Sequence, residues 1–423
     1  MSVYASSKPA DSSVSKSQRE LAATGRWEHE DVFRSWQRVK YVVFAVCTPL
    51  LAPPIGSSCR YGVIPCAENL LKRNARLELR QQVDYKSQVG FEAWYELFKP
   101  YTMPSLVLRL SSAETLTLLR CQGAFQSGSE VAPSDLQSVV SLRARLDDAI
   151  CTMKGGRAFI RSSTQSARDC IVDSSRWLSD RFKHECTELA RQAVERGALD
   201  ENALMIAYAN AVGQAMCVRR GQEALELLVQ STQIHADLDE FLDAAKAQAI
   251  IVRRWEPTVK PESEFRVFVH HGRVSAISQD HDALYFRSLV GQKDALLRSI
   301  CAFFSPALLK LGEGLGLEAY VADVSATTSS VVLIDINQWG TVTPALLFDW
   351  SMDRELLCGL GGQDTDAPPV FRIVEAAPSQ ATKRLQPHTQ EAIALLVDRA
   401  QGDPDAVSKS LSTPRSRVPC SVQ

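Results

Sequence analysis

Residues Ala319 to Gly340 read AYVADVSATTSSVVLIDINQWG, and the fold turns on this stretch. Two β-branched apolar runs flank a Thr/Ser-rich turn, the pattern of an antiparallel hairpin. Side chains alternate faces along a strand, so Asp335 and Asn337 are expected on one face and Val332, Ile334 and Ile336 on the core face. A turn at Thr327 to Ser329 brings Asp323 opposite Asp335 to within about a residue of register. Aspartate is unusual in mid-strand. Two carboxylates close together on a half-buried sheet raise each other's pKa unless a cation neutralises them. Two carboxylates and an amide oxygen suit Mg²⁺, which completes its shell with water and phosphate oxygens. Acids at strand ends facing water are an equally weighted reading on the sequence alone.

Working outward, Phe265 to Val269, a His270-His271-Gly272 turn and Arg273 to Ser278 form a second hairpin. Glu264 and Arg266 share a face there. That spacing suits a ribose hydroxyl and a phosphate, or an exposed ion pair of little worth. Further upstream, Ala249 to Trp255 (AIIVRRW) is a strand of buried type. Arg254 and Trp255 at its end either border an adenine edge or pack in the core. Gly155-Gly156 opens another strand, RAFIRSS, in which Arg161 either meets a phosphate or sits solvated at an edge.

Helices are expected over Phe91 onward, Ser111 to Arg120 with a capping pattern, Asp135 to Met153, a block from Ser166 to Val229, Leu238 to Ala247, and Asp282 to Leu311. A last strand is expected at Val370 to Val374 and a last helix at Gln390 to Ala400. Helices segregated from antiparallel hairpins make the class α+β. Residues 1–85 are expected to be a largely disordered or irregular extension, 86–377 the folded domain, and 378–423 a helix and polar tail.

The chain has 423 residues, with 47 Lys+Arg against 49 Asp+Glu and a formal net charge of −2. Nothing in that balance points to direct nucleic-acid binding or an anionic membrane surface. The 11 cysteines form no Cys-x-x-Cys pair and no zinc-finger spacing, which reads as free thiols in a reducing compartment. There is no Walker A loop, no His-x-x-x-His and no Gly-x-Ser-x-Gly elbow. The N-terminus lacks a signal peptide's apolar run. Tyr41 to Ile55 is apolar but shorter than the ~20 residues of a spanning helix, and it is broken by Pro49, Pro53 and Pro54. A cytoplasmic monomer without a membrane anchor is the expectation.

Taken in order, Phe91-x-x-Trp94-Tyr95 with Thr102, GGRAFIRSSTQSARD, ALELLVQSTQIHADL, IIVRRWEP, EFRVFV, AISQ, VADV, LIDINQWG and LLFDW resemble the cell division cycle protein 123 family. The likeness runs from about Phe91 to Val374. It implies a two-lobed ATP-grasp-like domain that binds ATP with Mg²⁺. It also implies a role as an assembly chaperone that binds the gamma subunit of eukaryotic translation initiation factor 2. Carried over by position, Asp335 and Asn337 face the metal and Asp323 supports the same site. Glu264 and Arg266 lie along the nucleotide, Arg254 and Trp255 border the adenine, and Ser163 and Gln279 belong to the nucleotide-binding set. Arg161 holds the place where members typically carry a phosphate-contacting lysine. Pro104 replaces a second lysine, Gln338-Trp339 replaces Pro-Phe, and Asp280-His281 departs from an Arg-containing form. The alternatives are an ATP-grasp ligase that forms an acyl phosphate, and a binding scaffold without nucleotide.

Overall fold

The computed structural model describes residues 83–84, 86–172, 201–360 and 368–377. Tyr41 to Ile55, most of the expected N-terminal extension and the helix at Gln390 to Ala400 lie outside the described residues. Elements follow in chain order as α1 (Phe91–Phe98), β1 (Ser105–Leu110), α2 (Ser112–Ser127), α3 (Pro133–Thr152), β2 (Ala158–Ser162), α4 (Asp169–Val172) and α5 (Glu201–Ala215). Then come β3 (Cys217–Val218), α6 (Gly221–Gln230), α7 (Thr232–Asp243), β4 (Gln248–Arg254), β5 (Glu264–His270), β6 (Arg273–Gln279) and α8 (Arg287–Phe303). The last are α9 (Pro306–Gly314), β7 (Ala319–Ala326), β8 (Val331–Asn337), α10 (Arg354–Leu357) and β9 (Val370–Arg372).

The class is α+β, as the sequence indicates. A four-stranded sheet runs β1-β4-β2-β3 and a five-stranded sheet runs β8-β7-β5-β6-β9. β4 is an inner strand between β1 and β2, and six of its seven residues are buried, the polar Gln248 and Arg253 among them. The two named hairpins form as read. The β5–β6 turn has positive φ at His271 and Gly272, the backbone twist that favours tight hairpins. β9, the last strand expected, adds to β6 in parallel, unlike the antiparallel hairpins beside it.

Helix boundaries moved where local chemistry decides them. α2 starts on the capping box of Ser111 and Glu114 but continues past Arg120 to a left-handed Gly128. The block expected from Ser166 to Val229 is interrupted by β3, which pairs with β2. The segment expected as one helix from Asp282 to Leu311 is α8 and α9, separated at Ser305-Pro306, where proline opens a new helix. Ahead of α1, Val83 is fully buried with Phe241 and Ala244, so the folded part begins before residue 86.

The five-stranded sheet buries two different faces. Phe265, Val267, Ile277, Ala322 and Val324 join the main core with Leu289, Leu296 and Ile300 of α8. Phe268, Ala276 and Val321 pack instead under Phe348, Leu357, Trp339 and Trp350 from the segment after β8. That second face is the one that carries the acids.

Candidate functional site

β7 and β8 pair with Asp323 opposite Asp335, and Val324 opposite Leu333. Ile334 is therefore an extra residue, a bulge that resets the alternation. The expected inward set of Val332, Ile334 and Ile336 is corrected accordingly: Leu333 and Ile336 are the buried members, at 1% and 2% exposure, and Val332 and Ile334 are half-buried.

The bulge leaves main-chain acceptors on the edge strand without strand partners, and the four-stranded sheet supplies the donors. Arg253 of β4 donates from Nη1 to the Ile334 carbonyl at 2.5 Å and from Nη2 to the Leu333 carbonyl at 3.1 Å. Its Nη2 also reaches Thr102 Oγ1 at 2.5 Å, and that hydroxyl donates to the Leu333 carbonyl at 2.7 Å. Burial, with the neighbouring Arg161 charge, pushes the Arg253 pKa down to about 9, although Asp335 opposes the shift. Sequence reading passed over Arg253 in favour of Arg254. The signal was present: when a doubly buried strand ends in two arginines, alternation turns one of them inward.

Arg161 is not a solvated edge residue. It is 5% exposed, and its Nη1 donates to Asp335 Oδ2 at 2.6 Å, joining one sheet to the other. Arg266 does not pair with Glu264 as the local spacing allowed. It donates from Nε and Nη2 to Asp323 at 2.8 and 3.0 Å, a bidentate pair, and from Nη1 to the Pro344 carbonyl at 2.7 Å. Asn337 Nδ2 donates to Asp323 Oδ2 at 2.8 Å. Arg161, Arg266, Asp323, Asp335 and Asn337 thus form one charged group between the two sheets.

The other expected residues fall into different surroundings. Ser163 is buried and donates to Glu92 Oε1 at 2.6 Å, tying the loop after β2 to α1. Gln279 is fully buried, and both ends of its amide serve main-chain groups: Nε2 donates to the His281 and Leu284 carbonyls, and Oε1 accepts from Val374 N. Arg254 pairs with Glu256 at 3.0 Å and lines a cavity of about 340 Å³ with Tyr101, Thr102, Phe303 and Val332. None of Arg161, Asp323 or Asp335 lines that cavity. Trp255 bonds through its main-chain N–H to the Arg157 carbonyl and packs against the main core. Glu264 lies at the start of β5, with His281 at 3.7 Å and Arg168 at 3.8 Å.

The donor chemistry of the acidic group fits a hard divalent cation. Asn337 donates an N–H to Asp323, which leaves its side-chain carbonyl oxygen as an acceptor. Burial raises the Asp335 pKa, and the Arg161 guanidinium against it opposes that shift. Asp335 and Asn337 are the residues that would hold Mg²⁺, with Asp323 behind them, oriented by Arg266.

Asp169 and Asp237 set the loop that follows Arg161. Asp169 accepts from Ser231 Oγ, Thr232 N and Gln233 N at the start of α7. Asp237 accepts from Ser162 Oγ at 2.7 Å and Thr164 Oγ1 at 2.5 Å. The loop is thereby fixed by carboxylates on or against one helix.

The model of the D123 family matches residues 207–397. A translation initiation factor eIF2 assembly protein of Xenopus laevis is 24% identical over 308 residues, covering 66% of this chain and 81% of its own length. Cell division cycle protein 123 of Eremothecium gossypii is 24% identical over 348 residues, covering 78% and 93%. The eIF2 assembly protein of Kluyveromyces lactis is 30% identical over a shorter 162 residues, 35% of this chain and 41% of that one. Among solved structures, C-terminally truncated Cdc123 from Schizosaccharomyces pombe aligns with a TM-score of 0.47 at 20% identity, over 68% of this chain and 96% of that chain.

Proposed function

From this chain's kinship with the D123 and cell division cycle protein 123 proteins, we propose that it is an assembly factor for translation initiation factor 2 that works as an ATP·Mg²⁺-binding, ATP-grasp-like clamp. The observation that carries the nucleotide reading is the Arg161–Asp335 contact at 2.6 Å between the two sheets. A buried cation from one sheet facing buried carboxylates from the other supplies the two halves of a phosphate–metal site. In this reading Arg161 turns from Asp335 to a phosphate, and Asp335 and Asn337 hold the metal. The metal would supply charge neutralisation of the phosphates. Arg253 holds the bulge that presents Asp335, and Arg266 holds Asp323.

The partner is read from the relatives. Proteins named for eIF2 assembly lead us to the same factor as the cargo here, with its gamma subunit as the binding partner. Ordering of both sheets around one ligand gives a rigid surface against which a subunit docks. A second reading has its own support: with Arg161 and Arg266 already compensating Asp335 and Asp323, the cleft is internally neutralised, as a nucleotide-free scaffold would be. A co-purification of the full chain with the isolated gamma subunit, with and without ATP·Mg²⁺, separates them. The clamp reading expects nucleotide-strengthened capture. Equal capture under both conditions favours the scaffold, and no capture removes the gamma subunit as partner.

A further inference from the structure

We propose that Glu264, Asp280 and His281 form a second cation site, separate from Asp335 and Asn337, that takes a late transition-metal ion such as Zn²⁺ through one imidazole nitrogen and two carboxylate oxygens. The three residues stand at the adjoining ends of β5 and β6, where the Asp280 N–H donates to the Glu264 carbonyl at 3.0 Å and locks the ends together. One donor atom from each residue lies within 4.8 Å of the other two. His281 Nε2 is 3.7 Å from Glu264 Oε1 and 3.9 Å from Asp280 Oδ2. Those distances exceed a hydrogen bond and are close to the ~3.4 Å between donors around a tetrahedral zinc with bonds of about 2.1 Å.

His281 Nε2 is enclosed by protein and has no hydrogen-bond partner, although it is aimed at two carboxylates. An enclosed, unpartnered imidazole nitrogen is costly unless something bonds to it. The opposite oxygens are held by cations. Glu264 Oε2 is 3.8 Å from Arg168, and Asp280 Oδ1 is 3.9 Å from Arg266. Glu264 Oε1 and Asp280 Oδ2 are left turned toward His281, an outer shell that orients carboxylate ligands.

The charges also point to a cation. Arg266 is already bidentate to Asp323, and Arg168 is half exposed, so its charge is screened by solvent. Two carboxylates turned toward one imidazole are the anionic ligands that a divalent ion takes. A mixed nitrogen and oxygen set suits zinc and its neighbours over Mg²⁺. The site needs no nucleotide, and it gives Glu264 a ligand's task in place of a ribose contact.

The test uses the full chain, stripped of metal by a chelator, without nucleotide or Mg²⁺. Co²⁺ is titrated by visible absorption and Zn²⁺ by calorimetry into wild type, Asp280→Asn and His281→Gln. The expected result is one equivalent of binding, with a nitrogen/oxygen-type Co²⁺ spectrum, present in wild type and lost in both variants. Identical stoichiometry and spectra in the three proteins would overturn the proposal. Should both variants fail to fold, wild type decides alone: Zn²⁺ is expected to protect His281 from carbethoxylation, mapped by mass spectrometry. An unprotected His281 at saturating Zn²⁺ sinks the site.

Discussion

Two buried arginines do different work in this molecule. Arg253 donates to two carbonyls and a hydroxyl, none of which offsets its charge, so it acts through hydrogen bonds to the β8 bulge. Hydrogen bonds to a charged group contribute about 1.5–3 kcal/mol each, and a stranded acceptor costs further. Arg253→Met is therefore expected to lower unfolding stability by roughly 3 kcal/mol or more, read by urea denaturation. A change within about 0.5 kcal/mol, the range of ordinary surface substitutions, would show that the bulge holds itself. Arg161 instead carries the charge that faces Asp335 and competes with any cation there. Arg161→Met should therefore bind Mg²⁺ alone more tightly than wild type and ATP·Mg²⁺ more weakly, in paired titrations. Shifts of the same sign in both would contradict the exchange of Arg161 between Asp335 and phosphate.

At the scale of elements, the helices that support the four-stranded sheet depend on a few close approaches. A Cβ on Gly221 would lie 2.2 Å from the Arg143 carbonyl and 2.9 Å from the Asp147 main chain, because the start of α6 sits directly on α3. Gly221 N donates to Asp147 Oδ1 at 2.5 Å across that contact. Gly221→Ala is expected to cost about 1–3 kcal/mol through overpacking, despite alanine's better helix propensity. An unchanged melting temperature would contradict it. The α2 cap gives a second test. Ser111→Ala should cost about 1 kcal/mol. Burial tends to raise the Glu114 pKa, but bonds from Ser111 and Arg145 more than offset this and hold it below the ordinary glutamate value. A depressed carboxyl contributes stability above its unfolded pKa and loses it as pH falls through the lower folded one. Wild type should therefore lose more stability than Ser111→Ala on acidification through that window, and equal losses would refute the cap's role.

Much of this was legible. The hairpin at Ala319–Gly340 and the opposition of Asp323 to Asp335 follow from alternation and a turn. The Ile334 bulge was not, because one strand's sequence does not state how many residues its partner presents. That single residue exchanged Ile334 for Leu333 in the core and created the acceptors that Arg253 meets. Arg161 read as an edge residue because a lone cation on a strand usually is one. Its burial is set by a carboxylate 174 positions away, a distance in sequence that no local pattern spans. The α+β class was legible from antiparallel hairpins and segregated helices, and nine ordered segments carried the resemblance, each alone being unspecific.

For the whole molecule, the two sheets meet through polar groups as well as core. Thr102, Arg161 and Arg253 on one side contact Leu333, Ile334 and Asp335 on the other. A ligand seated there links to folding, and saturation at 100 times its Kd would add about 2.7 kcal/mol of stability. Among the described residues no single helix is long and apolar enough to cross a membrane; the bent pair of α8 with Leu308–Gly314 reaches that mark only when joined. We propose this junction as an ATP·Mg²⁺ site. Calorimetric titration of ATP into the full chain, with and without Mg²⁺, on wild type and Asp335→Ala tests it most directly. Mg²⁺-dependent binding in wild type that is lost in a folded Asp335→Ala is the predicted result. A folded wild type that binds no ATP, or a variant that binds as well as wild type, would contradict it.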